Sequence, residues 1–361
     1  MILFTDFSRE YKAIKKEING AINRVLNRGW FVLGPEVENF EKKFARYVGV
    51  KYCVGVNSGT DALYLSLLCA GIRKDDEVII PVNTALPTVM AVIMSGAKPV
   101  FIDCDELFLL DIKSIPRLIN KKTKAIMPVH LYGQTCDMEK LKKTARTNNL
   151  ILIEDCAQAG GAGWRGKKVG SFGDFGCFSF YPTKNLGAYG DGGAITTNNK
   201  IYYEKLLAMR FYGQADRAKC LMFGVNSRLD EIQAAILSVK LKHLDVWNKK
   251  RQEMAMFYRK SITNQDIILP PQKNRQEHIY HLFVVRVKNR EAIIKILKDN
   301  GIQTLIHYPM ILSQHPFLKK YANGLFPRAK TYESEILSLP MHPFLKKQEI
   351  KKIAEVLNKI K

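Results

Sequence analysis

LILIEDCAQAGGAGWRGKKVGSFGDFGCFSFYPTKNLGAYGDGGAITT, Leu150 to Thr197, decides how the rest of the chain is read. The apolar run Leu150–Ile153, closed by Glu154 and Asp155, has the pattern of a strand buried on both faces, with Asp155 at its carboxyl end. Ligands of open α/β sheets sit at that end. A second strand, Phe175 to Tyr181, runs into Pro182 and then Thr183-Lys184-Asn185 ahead of a glycine-rich loop. Lys184 therefore stands on a turn just past a strand end, backed by apolar surface. A lysine so placed gives up its proton more readily than a solvated one and suits covalent chemistry at a carbonyl.

Around this stretch the chain alternates short apolar strands with amphipathic helices. Helical spacing runs from Ser8 to Val25, then through Val37, Phe40, Phe44 and Tyr47. Strands are expected at 52–56, 77–80, 99–103 and 125–129, with helices at 61–70, 84–95, 112–119 and 137–148 between them. This predicts an α/β fold with a mostly parallel sheet covered by helices. After a helix from Tyr202 to Arg210, one long helix from Glu231 towards Lys260 is expected to connect two domains, 1–244 and 245–361. The second reads as a small α/β unit with strands at 281–287 and 304–308 and helices at 291–300 and 347–360.

An acid at one strand end and a lysine after the next match what pyridoxal 5′-phosphate needs: an amine for its aldehyde and a carboxylate for its ring nitrogen. Asn57-Ser58-Gly59-Thr60 enters a helix and offers unpaired N–H groups, a hydroxyl and the positive end of the dipole, which can cradle a phosphate. Two other patterns do not carry over to function. Gly161-Ala162-Gly163-Trp164-Arg165-Gly166 fits G-x-G-x-x-G but leads on to another strand, so it is not a dinucleotide fingerprint. His278 and His281 have no cysteine or acid cluster beside them and read as structural, and no metal is expected.

The formal charge of +22 is spread over lysines along the chain without an aromatic platform. It predicts a solvated surface that attracts small anions, not a nucleic-acid partner. No stretch reads as a signal sequence or membrane span, and seven scattered cysteines suggest free thiols in a cytoplasmic setting.

EDCAQA, GSFGDFGCFSFYPTKN and GAYGDGGAITT closely resemble the DegT/StrS family of sugar-nucleotide aminotransferases, which are fold-type-I pyridoxal-phosphate enzymes; NSGTDAL, NSRLDEIQAAIL, GIQTLIHYP and LSLPMHP extend the likeness over most of the chain. The resemblance implies that Lys184 carries the cofactor and moves the proton. It implies Asp155 for the ring nitrogen, Gln158 for the ring hydroxyl, and Gly59, Thr60 and Ser179 for the phosphate. It also implies a homodimer in which Asn226 reaches the neighbouring subunit's phosphate, and substrate-side roles for His130, Tyr132, Tyr181, Arg228, His307 and Tyr308. Amino transfer from L-glutamate to C3 of a dTDP-linked 3-keto-6-deoxyhexose follows as the expected activity. Amination at C4 and a non-catalytic regulatory relative are the alternatives, the second disfavoured by the presence of both Asp155 and Lys184. The chain departs from many relatives at Ala85, where an aromatic ring covers the cofactor in an N-T-F motif.

Overall fold

The computed structural model describes residues 1–216, 219–272, 277–322 and 324–360. Helix α1 (Phe7–Arg28) begins where Asp6 accepts the Arg9 N–H, and α2 (Pro35–Val48) begins at a proline already set in helical φ. A seven-stranded sheet follows: β1 (Tyr52–Val56), β2 (Glu77–Pro81), β3 (Lys98–Ile102), β4 (Thr123–Ile126), β5 (Ile151–Asp155), β6 (Phe175–Ser179) and β7 (Gly193–Thr197). Its spatial order is β1-β7-β6-β5-β4-β2-β3. All neighbours from β6 to β3 run parallel, and β7 runs antiparallel to both β6 and β1. Parallel pairs need crossovers, supplied by α3 (Gly59–Cys69), α4 (Leu86–Met94) and α5 (Met138–Thr147), with α6 (Lys200–Met209) following β7. The expected helix at 112–119 is a 3₁₀ segment, Ile112–Leu118, because Pro116 lies within it and cannot donate an α-helical bond.

The main-sheet core joins Val54, Ile79, Phe101, Ile126, Ile153 and Phe175 to buried residues of the crossover helices. This apolar slab leaves the carboxyl ends of β5 and β6 side by side, with Asp155 paired in register to Cys177. The glycine pattern at 161–166 forms a tight two-stranded ribbon, Gly163–Trp164 against Lys167–Lys168, and opens no helix.

Two expectations about the C-terminal part change. The long connector is two helices, α7 (Glu231–Leu241) and α8 (Leu244–Ser261), broken at Lys242-His243. No glycine or proline marks the break, since both turn residues keep near-helical φ/ψ. It is held by buried Leu244 and by His243, which stacks on Trp247 at 5.5 Å and bonds Glu17 at 3.0 Å. The small sheet is β8 (Ile267–Ile268), β9 (Phe283–Val287) and β10 (Ile336–Leu339), all antiparallel. Residues 304–308, expected as a strand, make one bridge, Leu305 to Ser338. Helices α9 (Arg290–Asp299), α10 (Pro327–Glu335) and α11 (Lys347–Asn358) complete the region. A separate apolar cluster, including Tyr258, Phe283, Leu297, Leu337 and Ile353, unites α8, α9, α11 and this sheet. We propose the domain boundary at the α7–α8 break, with Ile2 docking back on the smaller cluster. Among the described residues no helix is long and apolar enough to cross a membrane.

Candidate active site

Lys184 sits in the turn after β6, where its N–H bonds the Tyr181 carbonyl at 2.8 Å. The loop beyond is pinned by Lys240 of α7. That side chain is buried, and its Nζ donates to the Gly187 carbonyl at 2.7 Å and pairs with Glu10 at 2.5 Å. Lys184 itself is partly buried, and loss of water lowers its amine to about 8, against the opposing pull of Asp155.

Asp155, at the end of β5, is buried, and desolvation raises its carboxyl despite two hydrogen bonds and the nearby Lys184. Its Oδ1 accepts the Ala157 N–H at 3.1 Å and its Oδ2 accepts the Thr88 hydroxyl at 2.9 Å. Each oxygen retains a lone pair, and a cation placed here would offset the cost of the buried charge. Thr88 was not singled out from the sequence, because only the folded contact of α4 with the end of β5 reveals its role.

Gln158 accepts the Tyr132 N–H through Oε1 at 2.7 Å and donates through Nε2 to the Tyr308 hydroxyl at 2.9 Å, which leaves its second N–H available. Burial, aided by Asp155, pushes the Tyr308 phenol up to about 12. The buried Tyr132 hydroxyl donates to the His307 carbonyl. His307 bonds Ser338 through Nδ1 at 2.9 Å; burial and the Lys184 charge hold its ring down at about 4, so it stays neutral. Lys184, Asp155, Gln158, Tyr132, His307 and Tyr308 therefore form one cluster.

The phosphate-cradle residues also meet. Ser58 caps α3 by accepting the Asp61 N–H at 3.1 Å. A Cβ on Gly59 would stand 2.6 Å from Ser179 Cβ, so only a bare glycine lets the helix end approach β6 this closely. The Ser179 hydroxyl accepts the Tyr181 N–H at 3.3 Å and keeps its own proton to donate. Thr60, next after Gly59 in α3, is partly exposed.

His130 does not fit the expected substrate-side role. It is fully buried; Nδ1 accepts the Cys136 N–H at 3.2 Å, so Nε2 carries the proton and faces Glu154 at 3.2 Å. Glu154 also accepts the N–H groups of Gly170, Phe172 and Gly173. With its lone pairs so used, the cluster of His130, Glu154 and Cys156 reads as a loop anchor, not a metal site. Tyr181 is 52% exposed, and Arg228 lies over the Phe211 ring at 5.5 Å. Asn226 is also exposed. Its neighbour Ser227 turns inward, donating to Asp61 at 2.6 Å and accepting the Asn57 N–H at 3.0 Å.

These residues fit pyridoxal phosphate: a desolvated amine, a buried carboxylate with spare lone pairs, and a helix end that a side chain at position 59 would obstruct. Fold and site together define a pyridoxal-phosphate-dependent aminotransferase of fold type I. The chain belongs to the DegT/DnrJ/EryC1/StrS aminotransferase family, whose model matches residues 12–358. It is similar to the dTDP-3-amino-3,6-dideoxy-alpha-D-galactopyranose transaminase of Aneurinibacillus thermoaerophilus, with 48% identity over 99% of each chain. It is 39% identical to the dTDP-3-amino-3,4,6-trideoxy-alpha-D-glucose transaminase of Streptomyces venezuelae, over 98% of this chain and 94% of that one. Among solved structures, S. venezuelae DesV in complex with a ketimine intermediate superposes with a TM-score of 0.96 at 39% identity, covering 99% of this chain and 98% of that one.

Proposed function

We propose that this enzyme transfers the amino group of L-glutamate to C3 of a dTDP-linked 3-keto-6-deoxyhexose. The observation that carries the reading is the pairing of a lysine of lowered basicity with a buried carboxylate across the carboxyl ends of β5 and β6. The 48% identity to a transaminase named for a dTDP-3-amino-3,6-dideoxy sugar supports C3 over C4 and dTDP as the nucleotide.

When bound, pyridoxal phosphate supplies the aldehyde that carries the amino group and a ring that accepts electrons. Lys184 Nζ would hold the cofactor by its aldehyde and, when its amine is free, would move the proton at Cα of the amino donor. With the amine near 8, a usable fraction is uncharged at neutral pH. The Asp155 carboxylate would keep a proton on the ring nitrogen, and the spare Gln158 N–H would be the donor for the ring hydroxyl. Gly59, Thr60 and Ser179 would hold its phosphate at the start of α3. Tyr132 fixes the His307 backbone, while His307, Tyr308, Tyr181 and Arg228 are assigned to the sugar nucleotide.

The active unit in this reading is a homodimer in which Asn226 completes the phosphate site of the other subunit. In support, Asn226 points outward from a segment that bridges Phe211 on one side and, through Asp230, Val32 on the other. Trp30, Phe31, Val32, Tyr212 and Phe223 are exposed around it, an apolar surface suited to burial against a second copy. Seven unpaired cysteines support a reducing compartment, the cytoplasm. The test is mass spectrometry of the enzyme given glutamate and a panel of dTDP- and UDP-linked keto sugars. Amination of the dTDP-linked 3-keto-6-deoxyhexose is expected, and amination of other members alone would contradict the assignment.

A further inference from the structure

His281, read from the sequence as structural, bonds the side chain of Asn185, the residue after Lys184, as one end of a hydrogen-bond chain whose direction is fixed at the other. The Gly160 carbonyl can only accept, so Asn248 presents Nδ2 to it at 3.0 Å and turns Oδ1 the other way. That oxygen accepts Asn185 Nδ2 at 2.7 Å, which turns Asn185 Oδ1 towards His281 Nδ1 at 3.0 Å. His281 Nδ1 therefore carries the ring proton, and Nε2 is left with a lone pair. All three side chains are buried. Asn185 directly follows Lys184, so the chain ends beside the residue assigned to the cofactor.

The backbone at His281 is held as firmly. Arg251 of α8, itself buried, donates to the carbonyls of Tyr280, His281 and Met341. Gly133 (φ +87°) lies so close that a Cβ there would stand 2.7 Å from the His281 nitrogen. Burial and the charges of Lys184 and Arg251 hold the ring well below its ordinary value, so it stays neutral. Among the described residues Nε2 has no hydrogen-bond partner, so this lone pair is available to an amine in the site.

We propose that His281 is a positioning residue for Lys184: its Nε2 lone pair accepts a hydrogen from the lysine amine whenever the amine is not attached to the cofactor, and so orients it for proton transfer. This rests on the role given to Lys184 above. The same chain explains why Asn185 and Asn248 are buried amides: each passes the orientation fixed at Gly160 one step closer to the lysine.

Two substitutions separate this from a purely structural role. His281→Asn keeps a donor near the Nδ1 position for Asn185 but removes the Nε2 lone pair; His281→Gln places a carbonyl oxygen near the Nε2 position but gives up the Asn185 bond. Enzyme loaded with pyridoxamine phosphate, which leaves Lys184 free, is treated with an amine-reactive label across pH, and labelling of Lys184 is read by peptide mass spectrometry. An acceptor favours the charged amine, so His281→Asn should lower the labelling midpoint by roughly one pH unit. It should also reduce kcat about tenfold with KM values little changed. His281→Gln should restore both towards wild type. The reverse order, with Asn like wild type and Gln perturbed, would overturn the proposal in favour of a packing role. Nitrogen NMR of the wild-type imidazole, which needs no variant, should show the Nδ1–H form of His281, and an Nε2–H form would equally overturn it. Borohydride fixation of pyridoxal phosphate at Lys184 tests the underlying assignment separately.

Discussion

The Thr88 hydroxyl donates to Asp155 Oδ2 at 2.9 Å, tying the first turn of α4 to the carboxylate at the end of β5. Thr88 in turn lies 3.1 Å from the Thr84 hydroxyl, so the carboxylate is backed by two hydroxyls in a row. With Ala157 on the other oxygen, the carboxylate plane is fixed before any cofactor arrives.

Replacing Thr88 by Val keeps the shape and removes that bond. A hydrogen bond to a charged group contributes about 1.5–3 kcal/mol, so cofactor affinity should fall roughly ten- to a hundredfold. Titration of the cofactor-free protein with pyridoxal phosphate checks this, and unchanged affinity would mean Asp155 needs no such support.

Folding stability without cofactor should depend on pH through Lys184. Its amine is held at about 8 in the folded protein against an ordinary 10.5. Between those values the unfolded chain binds more protons, so stability rises with pH across that window. Below pH 8 the full cost of the buried charge is present. Lys184→Met should therefore be more stable than wild type at pH 7, by up to about 3 kcal/mol, and the difference should fade as the pH approaches 10.5. Thermal unfolding of both proteins across pH measures it.

Gly59→Ala should disturb the cradle itself. The added carbon must push Ser179 or the start of α3 aside, at a cost of about 1–3 kcal/mol. Weaker cofactor binding is expected together with a lower melting temperature. A variant that melts and binds like wild type would show that α3 and β6 can separate freely.

Shared active sites can be tested by mixing two inactive variants, Lys184→Ala and Asn226→Ala. After subunit exchange, one site of the mixed dimer has both functional residues, and a fraction of activity should return. No recovery despite demonstrated exchange would count against a contribution from Asn226 across the interface.

What could be read from the sequence was local. The apolar run of β5, the cap at Ser58 and the turn at Pro182 each state their own geometry, which placed Asp155, Gly59 and Lys184 at strand and helix ends. Contacts between distant segments left no such mark. Thr88 and His281 look like any threonine or histidine until α4 and the segment before β9 pack against the site. His130 follows a strand end as a ligand-binding residue would, but Glu154 and Cys136 occupy both its nitrogens. The α7–α8 break escaped because a turn of near-helical residues leaves the apolar spacing intact. Strand β10 escaped because Ile336 to Leu339 is a four-residue run interrupted by Ser338, too short for periodicity to separate strand from helix.

The central claim is amination at C3, and product structure by NMR tests it most directly. The enzyme is incubated with glutamate and, in parallel, with dTDP-linked 3-keto and 4-keto 6-deoxyhexoses. The account predicts a new amine on C3 from the 3-keto sugar and little product from the other. Efficient amination of the 4-keto sugar alone would contradict it.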